Sequence, residues 1–399
     1  MYGFELGREF KLSLAEIFSF FKDYTIIYLD EKILLLDNLN DFEIKDFTKK
    51  AGGTIKIFEI KNIFSKSTKS LEIFDFIRQE LEKLVGGKKD FGISFFGESK
   101  FDAKRFLLDA KKFLKEQNIS SRFVNKDFQN LSSAQIIGEN LVEKGSDINI
   151  ITTKNEIYLT KTLWVQDINA YSKRDFGKKR DMQIGMLPPK LAQMMINIGG
   201  AGKKGNIKIY DPFCGLGTIL IESLIMGNKE VFGSDKNEEM VQATKENLDF
   251  TIKSSFLTSI KYQIQNLDAR NIQNSEILKT SKIDAIITEG YLGEIFTIDS
   301  IKQEKIEDER KKLFDLYKDF FAGLKKARFA GIIVISFPFW EIKRKYIYFE
   351  EIYTLIKSYC HIEKMIGDNH LARETKVGSL LYKRSNQLVG REIFKLMIK

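Results

Sequence analysis

Two short stretches carry the residue types that chemistry would need. The first is Asp211-Pro212-Phe213-Cys214-Gly215-Leu216-Gly217-Thr218, preceded by Ile207-Lys208-Ile209-Tyr210 and followed by Ile219-Leu220-Ile221-Glu222-Ser223-Leu224. It reads as strand, glycine-rich turn and helix. Gly215 and Gly217 lack a Cβ, so the turn can take positive φ and a ligand can lie against its backbone, while the helix start at Thr218 offers unpaired N–H groups. That is a cradle for a nucleotide or an adenosine cofactor. No Gly-Lys-Ser/Thr follows, which excludes a phosphate loop, and the third glycine of a pyrophosphate fingerprint is missing. An adenosine cofactor without phosphates remains. The second stretch is Glu289-Gly290-Tyr291, after the apolar run Ile283-Asp284-Ala285-Ile286-Ile287. A carboxylate and an aromatic ring two residues apart at a strand end suit methyl transfer to a planar exocyclic amine. The amine's lone pair is delocalised into its ring, so Glu289, with a flanking backbone carbonyl, would hydrogen-bond the amine and take its proton as nitrogen attacks. Tyr291 would stack on the flipped-out base.

Acids at neighbouring strand ends belong to the same cradle. Asp235 follows Val231-Phe232-Gly233-Ser234 and lies 20 positions after Gly215, the separation expected of a carboxylate that binds ribose hydroxyls. It would equally serve as a cap for the helix that follows. Asp268, with Ala269 beside it, ends the next strand region, where it would accept from an adenine amino group. A cysteine nucleophile, the route to methylating a pyrimidine carbon, finds no cysteine near residues 288–293; Cys214 reads as a small buried residue. Cys214, Cys360, His361 and His370 are the only cysteines and histidines, so neither a disulfide framework nor a metal site is expected.

These stretches need an α/β frame to hold them. From Ile207 the pattern is strand, helix, strand Val231–Ser234, helix Glu238–Phe250, strands Ile260–Ile264 and Ile283–Thr288, a helix over Lys302–Lys326 and strand Gly331–Phe337. Such βαβ alternation builds a doubly wound, mostly parallel sheet that binds ligands at the carboxyl ends of its strands. A helix at Phe349–Ser358 and strands at Ile362–Ile366 and Ser379–Tyr382 would complete it. Pro188-Pro189 opens a helix over Lys190–Ile198. The front of the chain alternates too. Strand Tyr2–Arg8 precedes a helix that Ser13 would cap with Glu16 in a capping box; Thr25–Leu29, Ile33–Leu36 and Thr54–Ile60 read as strands and Phe42–Lys50 as helix. A second α/β module follows, with helices at Leu71–Leu84, Phe101–Gln117 and from Ser132-Ser133 through Val142, and strands at Phe91–Phe96, Ile148–Thr152 and Glu156–Thr162.

Charge points to an anionic partner. The 399 residues carry a net charge of +9, from 64 basic against 55 acidic residues, and the excess is clustered. Between Lys100 and Lys126 eight basic residues, among them Lys104, Arg105, Lys111 and Lys112, meet only Asp102, Asp109 and Glu116. A second cluster, Lys173, Arg174, Lys178, Lys179 and Arg180, lies in a stretch without hydrophobic periodicity that composition alone reads equally as a connector that contacts RNA or as an ordinary charged linker. No apolar run approaches membrane-spanning length, and the N-terminus lacks a basic-then-apolar leader, so a soluble, cytoplasmic protein is expected.

Together these residues resemble the THUMP-domain tRNA guanosine-N2 methyltransferases, the group acting on guanosine ten of tRNA. The likeness rests on Asp211–Thr218 with Ile219-Leu220-Ile221-Glu222, and on Gly185-Met186-Leu187-Pro188-Pro189-Lys190-Leu191-Ala192-Gln193 behind Arg174-Asp175 and Arg180-Asp181. It extends to Leu6-Gly7-Arg8-Glu9 and to Lys161-Thr162-Leu163-Trp164-Val165-Gln166-Asp167. The resemblance implies a ferredoxin-like module over 1–62, a THUMP RNA-binding domain over 63–165, a basic linker over 166–186 and a Rossmann-like class I methyltransferase domain over 187–399. It implies S-adenosylmethionine as methyl donor, held by Asp211, Pro212, Phe213, Gly215, Gly217, Thr218, Asp235, Asp268 and Ala269. The catalytic stretch would be Glu289, Gly290 and Tyr291, where the family usually has Asp-Pro-Pro-Tyr, so this chain is one residue short there and has no proline. tRNA is the implied partner, and the pattern is compatible with one or two transferred methyl groups and with a small activating subunit. Two other readings use the same residues: a catalytically weak tRNA-binding protein of this fold, and a DNA amino-methyltransferase, which would have no need of the basic front half.

Overall fold

The structure is a computed structural model that describes residues 1–98, 102–171, 187–200, 202, 207–294, 296–297, 301–367, 371–385 and 387–399. The chain forms two compact units. One comprises Met1–Phe10, Asp23–Thr48 and Thr54–Arg174, the other Lys11–Lys22, Lys49–Gly53 and Asp175–Lys399.

The first unit is built on an eight-stranded sheet in the order β2-β3-β1-β4-β8-β7-β5-β6. Its strands are β1 (Tyr2–Leu6), β2 (Thr25–Leu29), β3 (Ile33–Asp37), β4 (Thr54–Ser65), β5 (Lys89–Gly97), β6 (Ser121–Phe123), β7 (Ser146–Thr152) and β8 (Glu156–Val165). β4 runs past residue 62 and pairs with β1 on one side and β8 on the other, so a single sheet carries both front modules. Helix α1 (Phe10–Phe20) belongs from Lys11 onward to the second unit; α2 (Asp41–Phe47), α3 (Ser70–Glu82), α4 (Ala103–Glu116) and α5 (Ser133–Gly138) belong to the first. Helical spacing places Phe74, Ile77 and Leu81 of α3 with Phe106, Ala110 and Leu114 of α4 in one core, closed by Phe91, Ile93 and Ile148 of the sheet. Ser132 and Gln135 make the reciprocal capping box that starts α5. The helix ends at Gly138 rather than at Val142, with Asn140 taking φ 51° beyond it.

The second unit contains α6 (Pro189–Ile198), β9 (Ile209–Asp211), α7 (Thr218–Ile225), β10 (Glu230–Asp235), α8 (Glu238–Ser254), β11 (Lys261–Asn266), α9 (Glu276–Thr280), β12 (Ala285–Thr288), α10 (Gln303–Lys326), β13 (Ile332–Ile342), β14 (Lys345–Tyr348), α11 (Glu351–Tyr359), β15 (Cys360–Ile362), β16 (Leu380–Tyr382) and β17 (Val389–Ile398). Its sheet runs β11-β10-β9-β12-β13-β17-β15, with β14 on β13 and β16 on β17. The first five strands of that path are parallel, and β17 enters antiparallel between β13 and β15. One face is covered by α10 and α11, through Tyr317, Phe320, Phe321 and Ile352 against Ile333, Ile335 and Phe337. The other is covered by α7 and α8, through Leu220, Leu224, Val241 and Leu248 against Val231 and Ile264. Burial on both faces explains why β9, β12 and β13 read as apolar runs rather than as alternation, while the edge strand β11 is polar and largely exposed.

Three local expectations are corrected. Ser13 and Glu16 do not cap α1, which already starts at Phe10. Tertiary partners take them instead. The Ser13 hydroxyl donates to the Gly53 carbonyl at 2.8 Å, and the Glu16 carboxylate accepts from the Gly52 and Gly53 N–H groups and from Asn197 Nδ2 at 2.7–2.8 Å. Burial pushes the Glu16 carboxyl up to about 7 against the pull of those three donors. The strand expected at Ile362–Ile366 is Cys360–Ile362, because the last residues of β17 supply its partners. The long strand β17 was not expected at all; near its start it buries Arg391 and Glu392, which hides its apolar pattern.

Among the described residues no helix is long and apolar enough to cross a membrane, and no group of three metal-ligating side chains comes together.

Candidate active site

The turn after β9 has the geometry its glycines predicted. Gly215 takes φ 49° and Gly217 φ 82°, the region that side chains avoid. Gly217 is the residue before α7, and its N–H donates to the Cys214 carbonyl at 2.7 Å. A Cβ on Gly215 would meet no atom within 4 Å, so bare backbone faces open space there. Cys214 is buried behind the turn, and burial raises its thiol well above the usual range, which keeps it neutral. Phe213 turns into the core, its ring 5.5 Å from that of Phe320.

That open space is a cavity of about 1080 Å³. All the candidate cofactor residues except Gly217 line it, and so do Glu289, Gly290 and Tyr291. Parallel pairing explains the convergence: β10, β9 and β12 lie side by side, so their carboxyl ends, and the acids there, share one edge of the sheet. Asp211 Oδ1 accepts from Thr288 Oγ1 at 2.7 Å and from the Phe213 N–H at 3.1 Å, tying β9 to β12. Burial lifts its carboxyl to about 7. Asp235 accepts from the Gly215 N–H through Oδ2 at 3.0 Å and from the Asn237 N–H through Oδ1 at 2.9 Å. A carboxylate offers about four lone-pair sites, so capacity for ribose hydroxyls remains. The cap of α8 is Asn237, whose side chain accepts from the Glu239 N–H. Asp268 is held by Arg270, which donates to both of its oxygens and keeps its carboxyl below the usual range. A bare glycine backbone, an acid with spare acceptor sites and a mostly apolar wall fit an adenosine cofactor without phosphates.

Glu289 is where sequence reasoning missed a partner. Arg391, 2% exposed on β17, donates from Nε to Glu289 Oε1 at 2.5 Å. Burial raises the Glu289 carboxyl and the Arg391 guanidinium opposes that rise. The backbone of the stretch is pinned: the Glu289 carbonyl accepts from Ser336 Oγ at 2.5 Å and the Tyr291 carbonyl from the Tyr317 hydroxyl at 2.7 Å. Tyr291 is 40% exposed, and Lys236 Nζ lies 5.3 Å from its ring centroid. Gly290 takes φ 70°, where proline's fixed φ of about −65° cannot go. A Cβ there would stand 2.6 Å from the Tyr317 hydroxyl and 2.7 Å from the Ser336 carbonyl oxygen. Gly290→Ala is therefore expected to cost about 1–3 kcal/mol of stability and to displace Glu289. A thermal unfolding midpoint and a turnover number both equal to wild type would contradict this.

The basic residues separate into two sets. Lys104, Arg105, Lys111 and Lys112 are exposed on α4; Arg105 and Lys112 make only loose pairs, at 3.8 and 3.9 Å, with Asp109 and Glu116. Arg122 of the same cluster is neutralised by Asp90 and Glu139 at 2.7–2.8 Å. Lys173, Arg174, Lys178, Lys179 and Arg180 lie outside the described residues.

Known proteins share this pattern. Residues 177–297 match the family model described as RMKL-like, methyltransferase domain. The chain is 27% identical over 286 residues to a tRNA (guanine(10)-N2)-dimethyltransferase of Methanocaldococcus jannaschii, covering 70% of this chain and 77% of that protein. It is 35% identical over 130 residues to a probable tRNA (guanine(10)-N2)-dimethyltransferase of Methanothermococcus thermolithotrophicus, covering 32% of this chain and 74% of that protein. TrmN from Thermus thermophilus has the same fold, with a TM-score of 0.50 at 15% identity over 100% of this chain and 99% of that chain. Five parallel strands, an antiparallel β17, a glycine turn after the central strand and the family match define a Rossmann-like class I methyltransferase. Its methyl donor is S-adenosylmethionine. Within that class the chain belongs to the family of tRNA (guanine(10)-N2) methyltransferases.

Proposed function

We propose that the chain methylates the exocyclic N2 amine of guanosine ten in tRNA, in the cytoplasm. The observation that carries this reading is that the Glu289 carboxylate, held by Arg391, lines the same cavity as the glycine turn and Asp235. S-adenosylmethionine, when bound, supplies an electrophilic methyl group. Gly215 and Thr218 would receive it against bare backbone, Asp235 would accept from its ribose hydroxyls, and Asp268 and Ala269 would flank its adenine. Arg391 occupies Glu289 Oε1, which leaves Oε2 for the guanine amine. Among the described residues the Gly290 carbonyl accepts no hydrogen bond, so it is the flanking acceptor for the second amine hydrogen. Glu289 then takes the proton released as nitrogen attacks. Tyr291 offers a ring for stacking, braced by Lys236.

The front half would hold the RNA. In this reading residues 1–62 form the ferredoxin-like module and 63–165 a THUMP domain that grips tRNA, with Lys104, Arg105, Lys111 and Lys112 on phosphates. The linker over 166–186 would add Lys173, Arg174, Lys178, Lys179 and Arg180, ahead of the methyltransferase domain at 187–399. The relatives are named dimethyltransferases, and transfer of either one or two methyl groups fits this site.

The test removes the acceptor. Unmodified tRNA with guanosine at position ten is expected to take up methyl label, and the same tRNA with inosine there, which lacks the amine, is not. Equal labelling of the inosine tRNA, or of DNA, would overturn the reading.

A further inference from the structure

The wall of the cavity has an exposed feature that the methyl-transfer chemistry leaves unused. β13 and β14 are joined by a two-residue turn, Lys343-Arg344, closed by the pair Ile342 and Lys345. Both turn residues are left-handed, at φ 48° and 64°. Two-residue hairpins with two positive φ values favour Asn-Gly, because few other side chains tolerate that backbone. Here both places carry long cations, a choice against local preference, and both residues line the cavity that holds Glu289.

Charge pairing leaves these two unmatched, whereas Lys236, another cation of the lining, lies against the Tyr291 ring. Four of the acids that line the cavity are engaged elsewhere: Glu341 pairs with Lys383, Glu289 with Arg391, Asp268 with Arg270 and Glu294 with Lys312. Among the described residues neither Lys343 nor Arg344 makes an ion pair. Lys345 adds a third exposed cation at the base of the turn. An exposed, unbalanced positive tip on the wall of a cavity that must admit one nucleotide matches what that nucleotide brings with it. When a base enters such a pocket its sugar stays at the mouth, with a phosphate on either side. Cations there hold the strand without reading its sequence.

We propose that Lys343 and Arg344 form a phosphate clamp on the RNA strand flanking the target nucleotide, separate from the basic clusters of the front half. The inference rests on the methyl-transfer reading of the cavity. It commits the tip to RNA phosphate and not to the cofactor's carboxylate, the other anion that enters the same cavity.

The double variant Lys343→Asn/Arg344→Gly tests it in the full-length protein, since it installs the residues this turn prefers and so keeps the fold. Its unfolding midpoint should equal or exceed that of wild type. Its Kd for unmodified tRNA, measured by equilibrium titration, should rise about tenfold, and the slope of log K against log salt should fall by about 1.4–1.8, the release expected from two phosphates. Its Kd for S-adenosylmethionine should not change. A Kd and salt slope for tRNA equal to wild type would overturn the clamp, as would a loss confined to cofactor binding. Binding is read without turnover, so these outcomes stand apart from a failure of the methylation reading itself.

Discussion

Glu289→Gln is expected to lower turnover by about 10²–10⁴-fold, the range that a positioned general base supplies, while tRNA affinity stays close to wild type. Glutamine keeps the length and shape of the side chain but cannot accept the proton. It also has only one oxygen. If that oxygen faces Arg391, the amide N–H₂ meets the guanine amine, donor against donor. If it faces the amine, the amide meets the guanidinium. Binding should be spared, because Glu289 lines the cavity with the glycine turn and carries no charge that a phosphate would seek. The comparison with Glu289→Ala separates the two roles a carboxylate can play here. A glutamine variant within a few-fold of wild type beside an inactive alanine variant would mean that Glu289 only orients the amine. A loss confined to KM would mean that it docks the substrate.

The second large effect is expected at Arg391. Its guanidinium is buried, donates to Glu289 and to Gln387, and sits 6.0 Å from the ring of Tyr382. Arg391→Met keeps the volume and leaves the carboxylate without its counter-charge. Removing one partner of a buried pair costs about 3–5 kcal/mol, and the low end applies because Glu289 opens to the cavity and can take up a proton. The pH dependence follows in sign. Burial already raises the Glu289 carboxyl and Arg391 opposes that rise, so without Arg391 it rises further. The active form is the deprotonated one, so the acid limb of the pH profile of kcat/KM moves to higher pH and alkaline buffer restores part of the rate. Stability runs the other way. A carboxyl raised in the folded state binds protons that the unfolded chain releases, so the variant's deficit is smallest at low pH and grows as pH rises. Arg391→Lys should recover part of both properties. An acid limb unmoved in Arg391→Met would remove this residue from the chemistry.

The parts of the site that lie on consecutive residues were legible in the sequence. Asp211, Gly215 and Gly217 sit within seven residues, and their types require a tight turn with exposed backbone whatever the rest of the chain does. Asp235 and Glu289 each follow an apolar run at a strand end and Asp268 lies just past the next strand, and parallel pairing brings such ends together. Arg391 was not legible. Its partner is 102 residues away, and nothing local in Leu388-Val389-Gly390-Arg391-Glu392-Ile393 points to Glu289. The one available signal was a pair of opposite charges inside an otherwise apolar strand. Glu392 beside it is buried as well, accepting from Ser379 and Tyr353, and the two charges together break the period that would have revealed β17. Ser13 and Glu16 failed for a related reason. Their spacing fits a capping box, but donors from Gly52, Gly53 and Asn197 outcompete the local arrangement. The shortened Glu289-Gly290-Tyr291 stretch makes sense only in three dimensions, where Gly290 turns through a left-handed conformation against Tyr317 and Ser336.

The most direct test of the central claim is the identity of the product. Unmodified tRNA is incubated with the protein and S-adenosylmethionine, digested to nucleosides and resolved by mass spectrometry. N2-methylguanosine or N2,N2-dimethylguanosine, arising from position ten and lost with Glu289→Gln, is the predicted result. Methyl label in any other nucleoside, or guanosine methylation that survives Glu289→Gln undiminished, would contradict it.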